Sequence, residues 1–113
     1  MDEKMTNNAK IFVRIGFIVA GADGLSDEER SFLYDYAVTR SGLSTEEVET
    51  EEKAAAAGVS SLSAEDIDSL KELKTEEIKL VLAEIVEKAA AADGNFSESE
   101  QSALLEVWGK IDP

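Results

Sequence analysis

The chain has 113 residues, enough to bury a core without metal or disulfide staples, and it carries 11 Lys and Arg against 25 Asp and Glu, for a net charge of −14. It contains no cysteine and no histidine, which excludes disulfides, thiolate metal sites, Ser-His and Cys-His catalysis and the usual zinc sets. Any metal must be held by oxygen and so must be a hard cation, and so acidic a chain repels nucleic acid and anionic headgroups.

The beginning, Met1-Asp2-Glu3-Lys4, is charged, and residues 1–7 are expected to form a flexible tail. The apolar run Ile11 to Val19 contains Arg14 and is too short to span a membrane, so no membrane insertion is expected. It also lacks a cleavage-site context, and the expected location is cytoplasmic.

Helix formers dominate and strand alternation is absent, so the expected class is all-α. Helix 1 is predicted over about Asn8 to Ala22, apolar around most of its circumference and therefore central. Asp23-Gly24 ends it, and Ser26 with Glu29 forms a capping box for helix 2, whose stripe is Phe32, Leu33, Tyr36 and Ala37. Ser44 with Glu47 opens helix 3, and Gly58 ends it. Glu46, Glu47, Glu49, Glu51 and Glu52 are expected to line its solvated face. Ser63 and Asp66 open a short helix 4. Thr75 is predicted to cap helix 5, which buries Ile78, Val81, Leu82, Ile85, Val86, Ala89 and Ala92 before Asp93-Gly94. Ser97 with Glu100 opens helix 6, which is expected to bury Leu104, Leu105 and Trp108, with Ile111 as a further candidate.

Two stretches match. Ala20-Gly21-Ala22-Asp23-Gly24-Leu25-Ser26-Asp27-Glu28-Glu29 and Ala90-Ala91-Ala92-Asp93-Gly94-Asn95-Phe96-Ser97-Glu98-Ser99-Glu100 each join Ala-Asp-Gly to an apolar residue and Ser-x-x-Glu. The predicted architecture is a single compact domain of about six helices, with two pseudo-symmetric helix–Asp-Gly–helix hairpins bridged by shorter helices.

The second turn matches the back half of a calcium loop, with Asp93 at position five, Gly94 at six, Phe96 at eight and Glu100 at twelve. Its positions one and three fall on Ala89 and Ala91, which offer no side-chain oxygen. The first turn is one residue shorter, and its position twelve falls on Arg30. Neither turn is complete alone. Local capping explains the residues by themselves. The functional reading is that Asp23, Glu29, Asp93 and Glu100 converge near a pseudo-two-fold axis and hold one divalent cation, calcium or another hard ion.

No pocket-forming acid–base pair or cofactor motif marks an enzyme, and the expected class is non-enzymatic. Asp68-Ser69-Leu70 resembles the tripeptide that carries phosphopantetheine in acyl carrier proteins, but its flanks do not match. The alternative to a cation module is an acidic interaction or scaffold domain without metal, whose partner is a protein with a basic surface. The oligomeric state is open.

The two Ala-Asp-Gly stretches, the first preceded by Val19, resemble the tellurite-resistance TerB family and its TerB-like relatives. The resemblance implies an all-helical fold with internal pseudo-symmetry and a bacterial, stress-associated, non-enzymatic role. It also implies metal binding by acidic positions, here Asp23 and Asp93 in the turns and Glu29 and Glu100 at the helix starts. The shortened first turn departs from the family spacing.

Overall fold

A computed structural model describes residues 3–22, 24–90 and 97–111. Every regular element among them is helical: α1 (Glu3–Ala20), α2 (Asp27–Thr39), α3 (Thr45–Ala55), a 3-10 turn (Gly58–Ser61), α4 (Ala64–Lys71), α5 (Thr75–Leu82), a π segment (Ala83–Glu87), α6 (Lys88–Ala90) and α7 (Glu98–Ile111). The last four of these comprise the two long arms of the second hairpin, because α5, the π segment and α6 run on without a break. The all-α class expected from composition is what the chain adopts, in a body with a radius of gyration of 12.6 Å.

Helix α1 is the axis of the fold. Ile11, Phe12, Val13, Ile15, Phe17, Ile18, Val19 and Ala20 are all buried, and α2, α3, α7 and the π segment pack around it. It starts at Glu3, earlier than the apolar pattern alone suggested. Gly16 matters here because a Cβ at that position would lie 2.7 Å from Cδ2 of the fully buried Leu33, so α2 approaches α1 through the missing side chain.

Capping fixes where helices start. Ser26, Ser44 and Ser63 each accept from the backbone N–H three residues on, and Glu29, Glu47 and Asp66 each accept in return from the N–H of the capping serine. The breaks after α1 and α2 and before the 3-10 turn use Gly24, Gly42 and Gly58 at positive φ. One cap differs from expectation: Lys74 holds the N-cap position of α5 and makes no side-chain cap bond, while Thr75 is the first helical residue.

The α3 acidic run also differs from the solvated face expected of it. Lys10 pairs with Glu47 at 3.2 Å, Arg14 with Glu51 at 2.9 Å and Arg30 with Glu52 at 2.8 Å. Three of the run's carboxylates thus fasten α3 to α1 and α2. Glu51 is only 6% exposed, and Arg14 also donates to the Ser61 carbonyl and to Asp66, tying the start of α4 into the same network.

In α7 the expected stripe is rotated. Val107 and Ile111 are buried, Leu104 and Trp108 are half-buried, and Leu105 is 70% exposed. Glu100 and Val107 share the inward face instead. The π segment widens the helix where Ile85 and Val86, neighbours in sequence, are both fully buried. No helix among the described residues is long and apolar enough to cross a membrane.

Candidate functional site: a buried pair of glutamates

The two Ser-x-x-Glu motifs build the same local structure. Glu29 Nα–H donates to Ser26 Oγ at 3.1 Å, and Ser26 N–H donates back to Glu29 Oε1 at 3.0 Å. Glu100 N–H donates to Ser97 Oγ at 3.2 Å, and Ser97 N–H donates to Glu100 Oε1 at 2.9 Å. Each glutamate is the third residue of its helix, so its cap bond bends the carboxyl back over the helix start.

What separates this pair from the other caps is burial. Glu29 is 1% exposed and Glu100 2%, whereas Glu47 and Asp66 in the corresponding position of α3 and α4 are half-buried. In both buried glutamates Oε1 is used by the cap, and Oε2 is buried with no hydrogen-bond partner among the described residues. The two carboxyl groups are neighbours, close enough for each to act on the other's charge. Two ionised carboxylates are acceptors only and cannot bond to each other. The pair is therefore satisfied in two ways: by one shared proton, or by a cation between the oxygens.

Electrostatics agrees with that reading. The Glu29 carboxyl is pushed up to about 7 by burial and by the neighbouring Glu100 carboxyl, against the opposing pull of the Ser26 cap. The two N-terminal helix ends point partial positive charge at the site, which partly offsets the cost of burying a carboxylate there.

Of the four acidic residues expected from the sequence, Glu29 and Glu100 are brought together. Asp23 and Asp93 lie outside the described residues, as do Gly94, Asn95 and Phe96 of the second turn. Among the described residues no third acidic side chain joins the pair. The donor set, two buried carboxylate oxygens, fits a hard cation by type, and calcium takes 6–8 oxygens in all. Tyr34, Tyr36 and Trp108 do not form a common aromatic surface: ring contacts pair Tyr34 with Phe17 and Tyr36 with Phe32, and Trp108 lies under Lys79. Ser69 is committed to the interior, its hydroxyl donating to Asn8 Oδ1 at 2.6 Å.

No family model matches the chain, and neither does any curated protein or solved structure.

Proposed function

We propose that this protein is a TerB-like, non-enzymatic stress-response module of the tellurite-resistance type, which holds a hard divalent cation between its two acidic hairpins. The observation that supports the reading is the meeting of Glu29 and Glu100, each with one buried carboxylate oxygen that no group among the described residues satisfies. One oxygen comes from each repeat, so neither hairpin holds the ion alone. Asp23 and Asp93, one in each turn, are the proposed further ligands. Calcium is the first ion to test, because its coordination is flexible and mixes carboxylate with carbonyl and water oxygens.

A cation that binds only the folded state raises stability in proportion to the logarithm of its concentration. Thermal unfolding of chelator-treated protein, above pH 7, should shift upward on adding millimolar calcium. Glu29→Gln combined with Glu100→Gln should remove the shift, and so should Asp23→Asn combined with Asp93→Asn. An unchanged melting temperature with calcium, manganese and magnesium would leave the acidic interaction module without metal as the better reading.

A further inference from the structure

A second site lies away from the glutamate pair. A recess of about 290 Å³ opens between α1, the end of α2 and the α4–α5 junction, walled by Phe12, Tyr36, Leu73 and Val81. Among the described residues its polar groups are Asn8, Arg40, Ser41 and the Tyr36 hydroxyl, so that lining carries one cation and no carboxylate on a chain of net charge −14. Asn8 is 8% exposed. Its Oδ1 accepts from Ser69 at 2.6 Å. Arg40 pairs with Glu84 from Nη2 at 2.6 Å and lies over the Tyr36 ring, and Glu84 lies outside the lining. A guanidinium has five N–H donors in a planar fork, so Arg40 retains donors for a second acceptor.

An apolar recess with a few convergent donors is the general anatomy of a small-ligand site, and this one is near the lower end of ligand-pocket volumes. The donors select the head group and the walls select the tail. We infer that the recess binds a small hydrophobic monocarboxylate, its tail against Phe12, Leu73 and Val81 and its carboxylate on Arg40 and the Asn8 amide. An ammonium head would meet the like charge of the Arg40 guanidinium and be disfavoured. A neutral alcohol would fill the same walls but forgo the charge-assisted bond to Arg40. The site shares no residue with the glutamate pair, so it stands whether or not a cation binds there.

The test is a titration of ¹⁵N-labelled protein with octanoate, octanol and octylammonium, below their aggregation limits and in the presence of chelator. Octanoate should move the amide signals of Asn8, Ser41 and Leu73 saturably and bind most tightly. Arg40→Gln, at a side chain well outside the core, should weaken octanoate about tenfold, as expected for the loss of one charge-assisted hydrogen bond, and bring it level with octanol. Val81→Trp should fill the recess and abolish binding of all three while circular dichroism and the melting temperature report a folded protein. Should that variant not fold, Leu73→Trp asks the same question from the opposite wall. Equal affinity for the three heads, or octanoate binding unchanged in Arg40→Gln, overturns the proposal. So do saturable shifts confined to α5 and α7 around Trp108.

Discussion

Glu29 and Glu100 are the third residues of two helices far apart in the chain, and their carboxyl groups meet in the interior with Oε1 of each on its own serine N–H and Oε2 of each left over. The relationship sets a clear pH dependence. The Glu29 carboxyl titrates near 4.5 when unfolded and at about 7 when folded, because burial and Glu100 both disfavour its charge. Between those values the folded state binds more protons than the unfolded state, so stability falls as pH rises through this window and levels off above it. At about 1.4 kcal/mol per pH unit between the two states, the loss is on the order of 3 kcal/mol. Below the window the trend reverses. Glu47 is held low by its Ser44 cap bonds and Lys10, and Glu52, although burial raises it, is held low by Arg30 and Tyr34. Both lose their stabilising contacts as pH falls through those lowered values. Urea unfolding across this range should therefore show a maximum on the acid side of neutrality. Glu29→Gln, whose amide can donate to Glu100, should flatten the decline towards neutral pH.

Arg14 joins α1 to α3 and α4 through Glu51, Asp66 and the Ser61 carbonyl. Replacing it by methionine leaves Glu51 buried without its cation. The expected cost is about 3–5 kcal/mol, the range for breaking a buried pair from one side. The double change Arg14→Met with Glu51→Leu should recover most of that loss, because the stranded charge goes with its partner. Chemical denaturation of the two variants and the wild type measures the difference. A double variant as unstable as the single one would show that the arginine acts through the carbonyl and Asp66 instead.

Two glycines in helices should respond with opposite signs. Gly16→Ala places a methyl 2.7 Å from Leu33 Cδ2 in a closely packed contact between α1 and α2. It should destabilise by about 1–3 kcal/mol. A Cβ at Gly109 meets nothing within 4 Å, in the exposed part of α7. Gly109→Ala should stabilise by about 0.5–1 kcal/mol through helix propensity and the less flexible unfolded chain. Melting temperatures of the two variants decide both halves.

Tyr34 donates its hydroxyl to Glu52 Oε1 at 2.6 Å while its ring packs edge-on to Phe17. Burial and that bond push its hydroxyl up to about 12. Absorbance titration should show this tyrosine still protonated where a free phenol, near pH 10, is half ionised. Glu52→Gln should lower the midpoint while leaving the chain folded. An unaltered midpoint in that variant would assign the effect to burial alone.

The all-α class, the capping boxes and the core face of α1 were legible in the sequence because each depends on residues within a turn or two of one another. Helix propensity, Ser-x-x-Glu spacing and apolar periodicity are local quantities. The repeated Ala-Asp-Gly and Ser-x-x-Glu stretches also marked Glu29 and Glu100 as equivalent. Three things were not legible. The α3 carboxylates read as a solvated face because their partners Lys10, Arg14 and Arg30 lie on other helices, and the arginine inside an otherwise apolar α1 was the one signal that a buried anion awaited it. Leu105 read as core because spacing fixes which residues share a face but not which face turns inward. The recess at Asn8 and Arg40 draws on three separate parts of the chain, and no local pattern announces it. The sequence by itself determined that the chain is helical and that each hairpin carries a capped glutamate. Only the tertiary structure decided that those two glutamates share one dry site, because burial and the approach of like charges are properties of the packed interior and not of either turn.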